Sequence, residues 1–522
     1  MSVAIGDGGA DRDARSRISD PKRLLLRAGL ALTLASLLVV VVKMALAAWV
    51  ALKYPYDLDY GEGIVWQQMR NILAGEGYAP LGIYPAIVYH YPPVYHLVTG
   101  ALAWATGIDE LFAGRLVSLL STIASMALVG RLTWSAIPSE EDTVVRWLAA
   151  AIAATCLATI PTIVDWATLM RVDMLGCAWT MAGLVFAHRA VTRPKIVPLS
   201  ALAFVLAVYT KQTNIAGPIA SFVLLWCVRP RSALALLGWC LGLGLAALAV
   251  LTVESDGGFL RHVLSYNVNR IDWGRWRLLR QALLFHAVLI GLAGFAIAQA
   301  WRRLTQASHA GPWRSGLRDE SRAALVLALA FLAVKTAMIP TILKSGSSAN
   351  YLIEWSCGIT VFAGLAAVPV LRVARGGEAW PSPILIALLT IMLPIATWQV
   401  PMPEIDPSVL RTYDAQKAAM VDRIRAAEKP VVADDMVLLI RAGRPVEYEP
   451  AIAAELGHSG VYDEAGFIAK VRRGDFAFFL TRGNRSDPLF DERYNPRVAD
   501  AIDAAYPRKE RDGNLTFHLP AR

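Results

Sequence analysis

Three carboxylates are crowded into the segment that follows the first long apolar run of the sequence. They are Asp57, Asp59 and Glu62, in the stretch Tyr-Pro-Tyr-Asp-Leu-Asp-Tyr-Gly-Glu-Gly over 54–63. Carboxylates are costly to keep near hydrocarbon, so they should face water or a polar cavity, and such groups beside a membrane helix mark a candidate functional site. Because a positioned carboxylate can take a proton from an attacking hydroxyl, Asp59 and Glu62 are the candidate catalytic residues.

The spacing of Asp59 and Glu62 has a second explanation. Residues three apart lie on the same side of a helix. If a helix runs over 64–73, acids at these positions stabilise its N-terminus as caps. The sequence leaves catalysis and helix capping open for this pair.

Basic side chains that could bind an anion lie in later polar segments. Arg270 lies in an arginine-rich segment, 254–279, and guanidinium binds phosphate through forked hydrogen bonds. Contact with anionic lipid headgroups is the alternative for any single arginine there. Lys211 and Lys344 are further candidates for binding phosphate, with snorkelling at the end of a span as the alternative.

Further polar residues complete the candidate binding site. Asp165, Arg171 and Asp173 flank two apolar runs and could position a sugar or, through the carboxylates, a divalent cation. An ion pair of Arg171 with either aspartate is the alternative. The candidate substrate-binding residues are Asp57, His90, Asp165, Arg171, Asp173, Lys211, Gln212, Arg270, Lys344, Asn350 and Glu354.

The composition indicates a polytopic membrane protein. Of 522 residues, 56% are hydrophobic and 18% charged, and the mean hydropathy is +0.44, whereas soluble chains of this length carry more charge. The net charge of +9 is gathered in short segments between apolar runs, a pattern that sets membrane orientation and gives little support for nucleic-acid binding. All five cysteines lie in apolar runs without paired or metal-type spacing, which favours buried thiols over disulfides or a zinc site.

The apolar runs predict about eleven membrane-spanning helices and three regions. Residues 1–23 form a basic cytoplasmic leader, 24–400 the transmembrane domain, and 401–522 a small extracytoplasmic α/β domain with a helix at 408–427 and strands at 431–433 and 476–480. Segments 64–73 and 92–106 are predicted to be interfacial helices in the first outer loop. The predicted spans are 24–51, 113–132, 147–164, 174–190, 196–209, 214–228, 232–253, 280–301, 323–343, 351–371 and 382–400.

The distribution of arginine decides the predicted orientation. With the basic leader inside, the segments around Arg189, Arg229, Arg303 and Arg372 also fall inside if 92–106 does not cross the membrane, in agreement with the positive-inside rule. The acidic loop, the candidate binding residues and the C-terminal domain then share the outer side. We therefore expect one site on the extracytoplasmic face.

The order of these segments resembles the GT-C glycosyltransferases, in the branch that includes the lipid A aminoarabinose transferase and the protein O-mannosyltransferases. The resemblance covers about residues 24–400. It departs from the family in the first loop, where an adjacent Asp-Glu pair is common and this chain has three separated acids, of which Asp59 is favoured over Glu62. The segments that carry the resemblance are 57–62, 69–78, 91–95, 114–118, 171–173, 209–212 and 344–354.

This resemblance implies an all-α, GT-C-like membrane enzyme that transfers a hexosyl or pentosyl group from a polyprenyl-phosphate donor. The acceptor would be a glycan, lipid or protein of the bacterial envelope, reached from the outer face of the inner membrane, with membrane lipids around the chain. A first-loop carboxylate would act as base, and a divalent cation would be a possible cofactor. A transporter or flippase of a lipid-linked saccharide is the alternative, although such proteins usually contain paired repeats.

Overall fold

The computed structural model describes the backbone of residues 20–82, 86–309, 317–400 and 407–521, with side chains for 20–82, 86–305, 317–400 and 412–521. The predicted basic leader therefore lies almost entirely outside the described residues. Within them the chain is mainly helical up to Gln399 and forms a helix-and-sheet unit after residue 407.

A helix is present at each of the eleven predicted spans. Six stretches are long and apolar enough to cross a membrane: Pro21–Lys53, Glu110–Ala136, Pro230–Glu254, Ala287–Thr305, Glu320–Leu343 and Ala349–Ala374. The chain is thus a multi-pass membrane protein, while eleven crossings stay a prediction because several of the remaining helices are shorter. The helices are α1 Pro21–Lys53, α2 Gly61–Leu73, α3 Val94–Thr106, α4 Glu110–Ala136, α5 Thr143–Cys156, α6 Pro161–Trp166, α7 Asp173–Ala190, α8 Val197–Thr210, α9 Ala216–Val228, α10 Pro230–Glu254, α11 Trp276–Phe285, α12 Ala287–His309, α13 Glu320–Ala337, α14 Ile353–Ala374, α15 Pro383–Ala387 and α16 Leu393–Trp398.

Local sequence sets where the long helices begin. At α1 the Asp20 side chain accepts a hydrogen bond from the Lys22 N–H, and Pro21 occupies the first turn, where its missing N–H costs nothing. At α4 the Asp109 carboxylate caps the N–H of Phe112. These caps fix the N-terminal ends of α1 and α4, whereas the acidic loop follows the C-terminal end of α1.

Helix α14 is the centre of the helical bundle. In its apolar 18-residue window 89% of the residues are buried, and it packs against α4, α5, α12 and α13. Close packing depends on Gly364, where a Cβ would lie 2.5 Å from Ala153 Cβ. Since backbones approach closely only over small residues, this position helps set the separation of α14 and α5.

The first outer loop contains the two short helices predicted from its sequence. Helix α2 is buried between α3 and the C-terminal unit, whereas α3 leaves Leu97, Val98 and Trp104 exposed. At Gly63 of α2 a Cβ would lie 2.7 Å from the Cβ of Met436. Helix α2 therefore packs directly against the C-terminal unit, next to the acidic loop.

The C-terminal unit is a four-stranded mixed sheet covered by helices. The strand order is β1-β2-β4-β3, with β1 parallel to β2 and the other neighbours antiparallel. An isolated bridge between Ala86 and Tyr448 ties the first outer loop to it. Its elements are α17 Pro407–Arg425, β1 Val431–Ala433, α18 Met436–Arg441, α19 Pro450–His458, α20 Ala465–Arg473, β2 Phe478–Thr481, α21 Pro488–Arg493, α22 Pro496–Ala505, β3 Arg508–Asp512 and β4 Leu515–Leu519.

Candidate active site

Arg115 of α4 organises the acidic loop. Its guanidinium is fully buried and donates to the backbone oxygens of Ala51, Tyr54 and Tyr56 at 2.6–2.7 Å. Its Nε and Nη2 also donate to the two carboxylate oxygens of Glu62 at 2.8 and 2.7 Å. A single side chain thus holds the end of α1, the loop and the start of α2 in one arrangement.

Glu62 has no surface left for a substrate. It is 0% exposed, and besides Arg115 it accepts hydrogen bonds from the N–H of Leu58 at 2.7 Å and of Met170 at 2.9 Å. These contacts form a bidentate, charge-assisted pair with satisfied lone pairs. Glu62 therefore holds the loop in place and is not accessible to a substrate.

Asp57 is held by the C-terminal unit. Its carboxylate pairs with Lys417 of α17 and, at 2.9 Å, with Arg482, while Lys417 lies 3.0 Å from the buried Asp435. Burial acts to raise the pKa of Asp57, but the Lys417 charge holds it below its ordinary value. Burial and the neighbouring Asp57 charge raise the pKa of Asp435 to about 8, so near neutral pH Asp57 is the charged member of the pair.

Asp59 is the first-loop acid that remains partly open. Its side chain is 32% exposed, and its Oδ1 accepts a hydrogen bond from Arg171 Nη1 at 3.0 Å. The contact requires Gly61, where a Cβ would lie 1.4 Å from that nitrogen. The predicted residues Asp59 and Arg171 thus form an ion pair. The arginine passes over Gly61, where any residue with a side chain would collide with it.

A second group of predicted residues meets deeper in the helical part. The carboxylate of Asp173 accepts hydrogen bonds from Lys211 Nζ at 2.6 Å and Asn350 Nδ2 at 2.8 Å. Close by, Glu354 pairs with Lys335 at 2.8 Å. All five side chains are buried, so these contacts balance charges that the low-dielectric interior would otherwise penalise.

The acidic loop, the helical part and the C-terminal unit enclose a cavity of about 310 Å³, called the main cavity below. His90 and Gln212 share one wall, where Gln212 Nε2 donates to the His90 backbone oxygen at 2.8 Å. Burial lowers the pKa of His90, which favours the neutral imidazole. The cationic lining residues are Arg171, Lys211, Lys344 and Arg493, and the acidic ones are Glu449 and Glu492.

Six of the predicted binding residues do not line the main cavity: Asp57, Asp173, Asn350 and Glu354 are buried in the contacts described above, and Arg270 and Asp165 lie elsewhere. Arg270 is exposed and lines a neighbouring cavity together with Glu455 and His458. Asp165 is exposed on α6 and forms no ion pair with any described residue. The linear sequence could not separate these two residues from the others, since all of them lie in polar segments between apolar runs.

Sequence reasoning missed several charged residues that build the site. Arg115 and Lys335 are charges within apolar helices, a signal that could have been read because such residues usually face a partner inside the bundle. Lys417, Arg482 and Asp435 come from the C-terminal unit. No local pattern marks those three, because their contact with the first loop exists only in the folded chain.

The carboxylates of the acidic loop do not fit a divalent-cation site. Each is already paired with a cation: Asp57 with Lys417, Asp59 with Arg171 and Glu62 with Arg115. Among the described residues no group of three or more His, Cys, Asp or Glu side chains could hold a metal ion. Positive charge in the main cavity comes from arginine and lysine.

The architecture is shared with solved structures. ArnT from Cupriavidus metallidurans in its apo state superposes with a TM-score of 0.57 at 14% identity, covering 92% of this chain and 97% of that chain. The chain has a GT-C-like fold. The same ArnT bound to undecaprenyl phosphate gives a TM-score of 0.56 at 15% identity, with the same coverages.

More distant matches include AglB, the oligosaccharyltransferase of Archaeoglobus fulgidus, in complex with an inhibitory peptide and a dolichol-phosphate. It gives a TM-score of 0.46 at 12% identity and covers 85% of this chain and 69% of that chain. No protein-family model and no curated protein sequence matches the chain. The GT-C-like assignment therefore rests on the fold.

Proposed function

We propose that the protein is a glycosyltransferase that moves a sugar from a polyprenyl-phosphate donor to an acceptor of the bacterial envelope, on the outer side of the inner membrane. The observation that carries the proposal is the Asp59–Arg171 pair, at 3.0 Å. Asp59 is the partly exposed acid among Asp57, Asp59 and Glu62, and its partner Arg171 lines the main cavity together with three other cations. The shared fold with an ArnT that binds undecaprenyl phosphate supports this donor class.

The reaction that this arrangement suits is a single displacement at the sugar. The acceptor hydroxyl oxygen attacks the anomeric carbon while Asp59 takes the hydroxyl proton. The bond between that carbon and the phosphate oxygen breaks, and its electron pair leaves with the phosphate. Whether the sugar is a hexose or a pentose, this chemistry is the same.

The cations of the main cavity stabilise the charge that develops on the departing phosphate. Arg171 uses one hydrogen bond on Asp59, and Lys211 one on Asp173, so each keeps donors for a ligand. Lys344 is exposed in the same cavity and forms no ion pair with any described residue. Donors placed where negative charge develops lower the barrier in a water-poor site.

The other two acids of the loop serve as positioning residues in this proposal. Glu62 and Asp57 are buried and ion-paired, and they fix the loop on both sides of Asp59. His90 and Gln212 shape the wall around the donor headgroup, and Asn350 holds Asp173 beside Lys211. Arg270 and Asp165 take no part in binding phosphate.

The test compares Asp59→Asn with Asp165→Asn, a matched change at an exposed acid. Both variants are assayed in proteoliposomes supplied with undecaprenyl-phosphate sugars and an envelope extract from a deletion strain. Asp59→Asn should lower transfer by at least about 100-fold, as expected for loss of a general base, and Asp165→Asn should leave it unchanged. Wild-type turnover in Asp59→Asn would refute the assignment, and movement of the donor sugar without a new glycosidic bond would favour the transporter.

A further inference from the structure

A second cavity of about 300 Å³, called the groove below, lies between the C-terminal unit and the two segments that carry Arg270 and Ser345. It borders the main cavity, and both are lined by Gly346, Ala451, Ile452 and Glu492. The two together form one cleft with two compartments. A transfer reaction needs room for two reactants, and the main cavity alone lies near the lower end of the volumes that hold one ligand, about 300–1,000 Å³.

The two compartments differ in the charged residues that line them. The main cavity has four cations against Glu449 and Glu492. The groove has one arginine, Arg270, against Glu455, Asp491 and Glu492. Three of the four cations also pair with aspartates, namely Asp59, Asp173 and Asp434, but Lys344 forms no ion pair with any described residue. The first compartment therefore offers a phosphate more cationic donors than the second does.

Hydrogen bonds between two loops and α19 fix one wall of the groove. Glu455 accepts hydrogen bonds from Ser345 Oγ and, at 3.2 Å, from Asn269 Nδ2, and these join the two loops to α19. Asp491 and Glu492 are exposed, and no described residue forms an ion pair with Asp491. Glu492 lies 3.8 Å from Arg275, and Asp491 accepts one hydrogen bond, from the Ser486 N–H at 3.3 Å. Both carboxylates keep acceptor positions for hydroxyl or ammonium groups.

We infer that the groove binds a saccharide unit of the acceptor that bears no phosphate or carboxylate, with its hydroxyl or amino groups donating to Asp491 and Glu492. The bound unit directs its reacting hydroxyl past Ile452 into the main cavity. The polar side chains of the groove lie mainly on the C-terminal unit, and they suit the water-soluble part of an acceptor. This inference rests on the proposed function and specifies its second substrate.

The test uses the full-length protein in a deletion strain and in nanodiscs. Ser459→Trp fills the groove, and Asp491→Asn removes one of its charges; Val461→Trp and Glu428→Gln are the matched controls at exposed positions outside both cavities. Envelope glycans and glycolipids are compared by mass spectrometry, and donor-site binding is measured by titrating undecaprenyl phosphate.

We expect Ser459→Trp to lower the product at least tenfold and Asp491→Asn to lower it severalfold, with undecaprenyl phosphate affinity unchanged and both controls like wild type. Wild-type product in Ser459→Trp, an equal loss in Val461→Trp, or weaker undecaprenyl phosphate binding in the groove variants would overturn the inference. So would a product whose new sugar is attached to a protein or to a phosphate-bearing unit. If even the wild-type chain adds no sugar, the proposed function itself fails.

Discussion

The two acids on either side of Asp59 are held by different parts of the chain. Glu62 is paired with Arg115 inside the helical part, where every contact comes from the bundle or its first loop. Asp57 is paired with Lys417 and Arg482 of the C-terminal unit, beside a second buried carboxyl, Asp435. We call these two pairings anchors. The first anchor, Glu62 with Arg115, forms within the bundle, whereas the second, Asp57 with Lys417 and Arg482, forms only when the C-terminal unit packs against the loop.

The chemistry of the two anchors differs as well. The Glu62 anchor is a single carboxylate paired with one guanidinium, and Glu62 has no neighbouring carboxyl in its contacts. The Asp57 anchor combines two carboxyls with a lysine and an arginine. We conclude that one side of the acidic loop is fixed by the helical part alone, and that the other can respond to pH and to the position of the C-terminal unit.

The largest effect is expected from Arg115→Met. The change leaves Glu62 buried without a partner and removes the donors to Ala51, Tyr54 and Tyr56, which should lower the free energy of unfolding by about 3–5 kcal/mol. Thermal unfolding in detergent, followed by tryptophan fluorescence, measures the loss. The double variant Arg115→Met with Glu62→Gln should recover part of it; a single variant as stable as wild type would show that the bundle does not need this anchor.

A smaller effect is expected from Lys417→Met. Asp57 keeps Arg482 as a partner at 2.9 Å, so the loss in unfolding free energy should be about 1–3 kcal/mol. The rate of glycosyl transfer should fall by more than the loss of stability alone would explain, because the loop that carries Asp59 loses its fixed position. Lys429→Met, at an exposed lysine of the same unit, is the control, and equal activities in the two variants would argue against the second anchor.

The third expected effect is a pH dependence confined to the second anchor. Burial raises the pKa of Asp435 to about 8, so in the range between its unfolded pKa, about 3.9, and 8 the folded chain binds more protons than the unfolded one at this site. Stability contributed by the protonated carboxyl is therefore lost as the pH rises towards 8. Melting temperatures of wild type and Asp435→Asn, measured from pH 5 to 9, should diverge in favour of the variant at high pH; parallel profiles would contradict the assignment.

Much of the fold could be predicted from the sequence, because it depends on local patterns. The apolar runs gave helices at the predicted positions, including α2 and α3 in the first loop, and the composition change after residue 400 gave the C-terminal sheet. Run length alone does not decide the number of crossings. Several helices are too short for their length and composition to establish a span.

The candidate site was predictable only in part. Asp59 with Arg171, and Asp173 with Lys211 and Asn350, were singled out separately and meet in the structure. The sequence did not show which of the three acids stays partly exposed, because Asp57, Asp59 and Glu62 look alike in a linear pattern. Burial and pairing separate them.

By itself, the sequence determined that this chain is helical and membrane-embedded and that it concentrates acids after its first helix, since hydropathy and helical periodicity act over a few neighbouring residues. Only the tertiary structure decided which cation pairs with each carboxylate of the acidic loop. Glu62 takes its partner from 53 residues away and Asp57 from 360. Pairings over such separations depend on how helices pack, and the low dielectric of the interior makes those pairings decide which carboxylate remains available for chemistry.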